Sequence, residues 1–396
     1  MTIDTDPQKV HDILTRGVED IFIKSDLEKA LLSGDQLRIK LGIDPTGPKI
    51  HIGRASVLRK LRAFQRLGHQ VVLIVGDFTA QIGDASDKTD KRPMLTRATI
   101  EENMGDYKNQ ISKILDMDKV ELRYNGDWLR PLGFQEISEL AEAFTVQQMI
   151  ARRNFKDRID AGTEVSLREL LYPLMQGYDS VAIDADVEIG GFDQLFNLKA
   201  GRTLQKHFGK KEQNILTTQM IEGTDGRKMS TSWGNIISIV DEPFDMYGKV
   251  MSVRDELLVK YFTLATDLDI SEIESIGKEL ESGTNPRDIK MRLARTLVEM
   301  YHSAQAAGDA EENFIETFQK GGVPDEMIEI ITSDLTISEM LIAGGVVASK
   351  TEWRRLIDDG SVKTESGEKV TDYDLSPENR DVLKIGKKRF VRFLKE

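Results

Sequence analysis

The chain has 396 residues, 39% of them hydrophobic, with five histidines and no cysteine. That length suits two or three domains with separate cores, and the missing cysteines exclude disulfides, thiolate zinc sites and cysteine nucleophiles. The start "MTIDTDPQKV" is too polar for a signal peptide, and the apolar run "VVLIV" is far short of a membrane span. A soluble, cytoplasmic protein without a membrane partner is expected.

The net charge of −13 speaks against nucleic acid until its distribution is read. Residues 334–396 carry 12 Lys+Arg and 12 Asp+Glu, so the acid excess lies before them. The closing "KIGKKRFVRFLK" is locally basic, with phenylalanines interleaved. Such a patch attracts phosphate, although a solvated basic strand has the same composition.

In chain order, "LRIKLGID" (37–44) and "QVVLIVGDF" (70–78) read as buried strands. Between them Ile52, Val57, Leu58, Leu61, Phe64 and Leu67 fall at helical spacing. The unit is β-α-β, which belongs in a parallel sheet. Residues 95–160 read as a charged, wholly helical insertion rather than more sheet. A helix over 168–179, a strand near 181–189, a helix over 192–208 and a strand near 214–220 resume the alternation. Beyond "GRKMSTSWGN" the pattern is helical to about 330, and 334–396 reads as a helix pair followed by short strands.

In an open parallel sheet, ligands sit at the carboxyl ends of strands, against helix N-termini. "LGIDPTGPKIHIGR" (41–54) occupies that position after the first strand. His51 at a helix N-terminus is biased toward its neutral form, which still donates a hydrogen bond to phosphate. Gly53 leaves room for a planar base, and Arg54 faces the same way as His51. Alone, the segment also fits a capped turn with a surface histidine. "DGRKMSTSWGN" (225–235) sets Lys228, Ser230, Thr231 and Ser232 between Gly226 and Gly234. These residue types suit a mobile clamp on a triphosphate, or simply a polar loop. In "YPLMQGYD", Tyr172, Gln176 and Asp179 lie at i, i+4 and i+7 on one helix face, and Pro173 reads as first-turn. A phenol, an amide and a carboxylate so aligned could hold a zwitterion with a polar tip.

Paired with the later "KMSTS", the "HIGR" segment resembles the HIGH and KMSKS signatures of class I aminoacyl-tRNA synthetases. The dehydrogenase pattern G-x-G-x-x-G is absent. With "KLGIDPT", "VGDFTAQIGD", "GGFDQLFN" and "YFTLATDL" added, nearly the whole chain is similar to the bacterial tyrosyl-tRNA synthetases. The resemblance implies tyrosine activation by ATP, with Mg²⁺ accompanying the nucleotide and no dedicated protein metal site, followed by transfer to a tyrosine-specific tRNA. It implies that Asp179 receives the tyrosine hydroxyl, that Tyr172, Gln176 and Asp84 hold the α-ammonium, and that Gln194 orients the carboxylate. Asp193 and the Gly191 backbone would bind the ATP ribose, with Asp44 and Gly53 also in the ATP site. Thr46 and His51 would meet the γ-phosphate, and Lys88, Arg92 and Lys228 the leaving pyrophosphate, with Arg54, Thr231 and Ser232 completing the catalytic set.

The implied architecture is a Rossmann-type catalytic domain (1–220) with a helical dimerisation insertion near 95–165 and a KMSKS-type loop at 221–236. A helical anticodon-recognition domain (237–330) and a ribosomal-protein-like α+β RNA-binding domain (334–396) follow, in a homodimer. Five residues depart from the family pattern. Arg54 stands for the second histidine of HIGH, Thr231 for the second lysine of KMSKS, and Lys40 for a tyrosine touching the substrate hydroxyl. Leu41 stands for a ribose-contacting cysteine, and Phe192 for a small hydroxyl residue. The rival readings are a tryptophanyl-tRNA synthetase and a synthetase-like RNA-binding protein that has lost catalysis.

Overall fold

Val71, Val72, Leu73 and Ile74 are all wholly buried, as a parallel strand covered on both faces requires. They belong to a six-stranded sheet in the computed structural model, which describes residues 2–84, 95–318, 327–332, 335–365, 367–375, 381–386 and 389–394. Its strands are Val18–Phe22 (β1), Arg38–Ile43 (β2), Gln70–Val75 (β3), Val120–Tyr124 (β4), Val187–Gly191 (β5) and Asn214–Thr218 (β6). Their order is β1-β6-β5-β2-β3-β4, parallel throughout except that β1 runs antiparallel to β6. From β2 the chain builds outward through β3 and β4, then returns to build β5 and β6 on the other side. The order therefore reverses between β2 and β5, and the crevice at their carboxyl ends is where an α/β sheet binds ligands.

The helix Ile52–Arg66 follows the expected spacing, with Ile52, Leu58, Leu61 and Phe64 fully buried. Helix Leu167–Ala182 packs on helix Leu195–His207. Gly177 lets the two backbones meet, since a Cβ there would lie 2.9 Å from the Ala200 carbonyl carbon.

Three expectations are corrected. Residues 95–160 are not wholly helical, because β4 extends the sheet by pairing with β3. Its Val-Glu-Leu-Arg-Tyr alternation suits an edge strand with one wetter face. Pro173 is not in a first turn but inside the Leu167–Ala182 helix. Lacking an N–H, it cannot bond the Glu169 carbonyl. Finally, the helical stretch ends before 330, because Ile328–Ile331 (β7) is a strand.

The chain divides into two compact units, Met1–Glu242 with Lys249–Tyr301, and Pro243–Gly248 with His302–Glu396. The first holds the six-stranded sheet. In the second, β7 joins Val362–Thr364 (β8), Val382–Ile385 (β9) and Arg389–Leu394 (β10) in the order β7-β10-β9-β8. Helices Ile337–Ala343 and Lys350–Asp358 contribute Leu341 and Trp353 to a core shared with Ile385, Val391 and Phe393. Among the described residues no helix is long and apolar enough to cross a membrane.

Candidate active site

The two motif segments meet in space. Ile52 N–H donates to the Ile237 carbonyl at 2.9 Å and Ile239 N–H to the Ile50 carbonyl at 3.0 Å. The turn after β2 is thereby tied to the chain just beyond "KMSTS". Within that loop Gly226 (φ +81°) and Gly234 (φ +65°) take left-handed conformations that favour glycine. The Asn235 side chain accepts from Ser230 N–H at 2.8 Å and donates to the Lys228 carbonyl at 3.0 Å, fixing the loop's curl.

A cleft of about 320 Å³ opens at the carboxyl ends of β2 and β5. It collects Asp44, Thr46, His51, Gly53, Arg54, Asp84, Tyr172, Gln176, Asp179, Gly191, Asp193, Gln194, Lys228 and Thr231. Lys88 and Arg92 lie outside the described residues, as does the Ser232 side chain, whose backbone is in the short turn Thr231–Trp233.

One end of the cleft is acidic. Tyr172 donates its hydroxyl to Asp44 Oδ2 at 2.8 Å, and Thr79 donates to Asp44 Oδ1 at 2.7 Å. A Cβ on Gly76 would collide with that carboxylate. Gln194 donates to Asp84 at 2.8 Å and accepts from Asn197 at 3.0 Å. Asp179 is 3% exposed and accepts from Trp128 Nε1 at 2.8 Å and Asn125 Nδ2 at 3.4 Å. Burial pushes its carboxyl up to about 7, against the opposing pull of Lys40 and the two donors. Burial and the neighbouring Asp44 likewise hold the Tyr172 phenol well above its ordinary range, so it remains a neutral donor.

The other end is cationic. Arg54 reaches Thr46 Oγ1 and the Tyr107 hydroxyl, each at 2.7 Å. Lys228 lies 3.0 Å from Asp193. His51 is pushed down to about 3, chiefly by burial and then by Arg54 and Lys228. The neutral histidine expected from the helix N-terminus is present, and burial is its main cause. Its Nδ1 is buried without a hydrogen-bond partner. A Cβ at Gly53 would stand only 3.1 Å from that nitrogen, so glycine keeps the space open. A cleft polarised this way can take an ammonium and a phenol at one end and phosphates at the other.

The sequence reasoning missed Asn125 and Trp128, because it read their segment as helical insertion; the end of β4 delivers both to Asp179. Recognising the alternation of β4 would have placed Asn125 at a strand's carboxyl end. Lys40 does not line the cleft. It is fully buried, with Nζ 2.8 Å from Glu188 Oε1.

Residues 32–319 match the family model described as "tRNA synthetases class I (W and Y)". A "Tyrosine--tRNA ligase" of Thermotoga maritima is 44% identical, over 98% of this chain and 97% of that protein. One of Moorella thermoacetica is 46% identical, over 96% and 94%. Among solved structures, a mitochondrial tyrosyl-tRNA synthetase of Aspergillus nidulans superposes with a TM-score of 0.65 at 23% identity, over 78% of this chain and 94% of that one. The tyrosyl-tRNA synthetase of Archaeoglobus fulgidus complexed with L-tyrosine gives 0.62 at 20% identity, over 77% and 100%. These last two carry the fold alone. With the family model spanning most of its length and such relatives covering nearly all of it, the chain belongs to the tyrosine-tRNA ligase family of class I aminoacyl-tRNA synthetases.

Proposed function

We propose that the chain is a tyrosine-tRNA ligase that activates L-tyrosine with ATP and transfers it to the 3′-terminal adenosine of its tRNA. The observation that carries this is the buried carboxylate of Asp179, closing the acidic end of a cleft whose other end holds Arg54, His51 and Lys228. A tyrosine phenol is a donor that such an acceptor can take. The relatives named above likewise speak for tyrosine over tryptophan, and against loss of catalysis.

In this reading the tyrosine phenol donates to Asp179, and its ammonium lies among Tyr172, Gln176 and Asp84. Gln194, braced by Asn197, orients the carboxylate. That carboxylate attacks the α-phosphorus of ATP, forming the acyl-phosphate bond as the bond to pyrophosphate breaks. Asp193 and the Gly191 backbone hold the ribose. Thr46 and neutral His51 donate to the γ-phosphate, and Lys228 stabilises the charge that develops on the pyrophosphate. A ribose hydroxyl of the tRNA then attacks the tyrosyl carbonyl and releases AMP. No side chain forms a covalent bond, so catalysis is positioning and fixed charge. Mg²⁺ enters as the counter-ion of ATP; among the described residues no cluster of three or more His, Cys, Asp or Glu is set to hold a metal.

Arg54 and Thr231 fit this scheme together. Arg54 bonds Thr46, the residue assigned to the γ-phosphate, and so brings a cation to the phosphate end that has lost one at Thr231. A homodimer is supported by Phe134, Val146 and Leu167, which are 88%, 67% and 72% exposed around the helical insertion. The helices between 243 and 318 are assigned to anticodon recognition, and the β7–β10 unit, with Arg389 and Arg392 on β10, to tRNA binding. The test is aminoacylation: unfractionated bacterial tRNA should accept radiolabelled tyrosine and not tryptophan in the presence of the chain and ATP. Charging with tryptophan, or with neither, would overturn the proposal.

A further inference from the structure

Lys40 and Glu188 face each other in the register of the parallel strands β2 and β5, beside the apolar pair Ile39 and Val187. Both side chains are completely buried. Besides its 2.8 Å contact with Glu188 Oε1, Lys40 Nζ donates to the Gln176 main-chain oxygen at 2.8 Å and to Ser180 Oγ at 2.7 Å. Glu188 accepts from Gln176 Nε2 at 3.2 Å, Ser180 Oγ at 3.1 Å and Gln213 Nε2 at 2.5 Å. A buried ion pair is seldom more stabilising than the apolar pair that could replace it.

What the ion pair does is visible in the two cleft residues it backs. An ionised carboxylate only accepts, so Gln176 must turn its amide nitrogen to Glu188. Its Oε1 is then the atom left for the cleft. The charged and titratable groups facing Asp179 are Lys40 from β2, Glu188 from β5 and Tyr172 from its own helix, with Asn125 and Trp128 donating from beyond β4. Among these, Lys40 is the leading influence favouring the carboxylate, and Glu188 opposes it.

We propose that the Lys40–Glu188 pair positions the amino-acid pocket from beneath its helix: Glu188 turns the Gln176 oxygen toward the substrate ammonium, and Lys40 supplies the charge that keeps Asp179 ready for the phenol. This deepens the tyrosine reading above and rests on it. Lys40 and Glu188 touch no substrate; they act through Gln176 and Asp179.

The experiment is kcat/KM for tyrosine-dependent pyrophosphate exchange between about pH 5.5 and pH 9 in the wild type, Lys40→Met, Glu188→Gln and the double variant. Phenylalanine, which lacks the hydroxyl, is the control substrate. Lys40→Met should move the acid limb to higher pH by about one pH unit, so that activity at about pH 6.5 falls roughly thirtyfold below its own value at pH 9, against roughly fourfold in the wild type. Glu188→Gln keeps an acceptor for Gln176 but loses the negative charge, and should move the limb to lower pH. The double variant should return it toward the wild-type position, and phenylalanine should show none of these displacements. Should Lys40→Met fail to fold, Glu188→Gln and the double variant still read the sign. A limb that stays fixed, or moves the same way in both single variants, would reduce the pair to a structural role. A wild type inactive with tyrosine would remove the function reading and this inference together, whereas an active wild type with fixed limbs removes only this one.

Discussion

Replacing Asp179 by Asn separates what this residue does for the substrate from what it does to the fold. The substitution keeps shape and removes charge. The folded carboxyl is raised from 3.8 to about 7. Such a group contributes most to stability below its unfolded value, and that contribution is lost as pH rises through its folded value. Above about pH 7 the full gap between the unfolded and folded values, roughly three pH units, disfavours the native state by about 4 kcal/mol. Near pH 5 only about one pH unit of that gap counts. The stability of Asp179→Asn relative to wild type should therefore improve by about 3 kcal/mol between pH 5 and pH 8. Its absolute gain is reduced because Trp128 and Asn125 both donate to this site, and an amide oxygen is a weaker acceptor than a carboxylate. Over the same range tyrosine activation should fall, since a hydrogen bond to a charged acceptor contributes about 1.5–3 kcal/mol, or roughly ten- to a hundredfold. Discrimination against phenylalanine should narrow from the roughly 10⁵ typical of this enzyme family. Urea unfolding at both pH values and exchange assays with both amino acids measure the two effects. Parallel pH dependence of stability in the two proteins, with an unchanged tyrosine preference, would refute the reasoning.

Lys228→Ala should slow single-turnover adenylate formation by about 10²–10³, as loss of a fixed transition-state donor does elsewhere, with tyrosine binding unchanged; wild-type rates would dismiss the loop as a pyrophosphate clamp. Thr231→Lys should accelerate the same step, because Arg227 is committed to Asp225 at 2.6 Å and to the Trp233 ring and does not supply the missing charge; a slower step would contradict this. Phe134→Asp should shift the chain from dimer to monomer in light scattering, and an unchanged mass would place the interface elsewhere. Removing residues 327–396 takes β7 away with its partner β10; it should leave adenylate formation intact, weaken tRNA binding and flatten its salt dependence, and an unaltered salt slope would deny the tail a phosphate-binding role.

The parts legible in the sequence were those where chemistry restricts residue choice locally. Phosphates need glycines and cations in short segments, so "HIGR" and "KMSTS" stand out, and the helix and strands flanking His51 follow from apolar spacing. What escaped was set by distant contacts. β4 has five residues, three of them apolar and two charged, and only its pairing with β3 makes it a strand. β1 is stabilised by β6, almost two hundred positions away, and carries little signal of its own. Pro173 looked like a helix start because proline favours first turns, yet the helix already begins at Leu167, with Glu169 of its first turn buried against Arg158. By resemblance Lys40 stands at the substrate hydroxyl, and nothing in the sequence ties it to Glu188. Only the register that opposes them shows an ion pair, and only the helix packed above shows that it reaches Gln176 and Asp179.

The central claim is that this cleft activates tyrosine, and tyrosine-dependent ATP–pyrophosphate exchange by the purified chain tests it most directly. Each of the twenty amino acids is offered singly with ATP and labelled pyrophosphate. The account predicts exchange with L-tyrosine that exceeds phenylalanine and tryptophan by at least about a thousandfold, as a site built around a hydroxyl partner allows, and that is lost in Lys228→Ala. Exchange driven best by tryptophan, or by no amino acid at all, would contradict it.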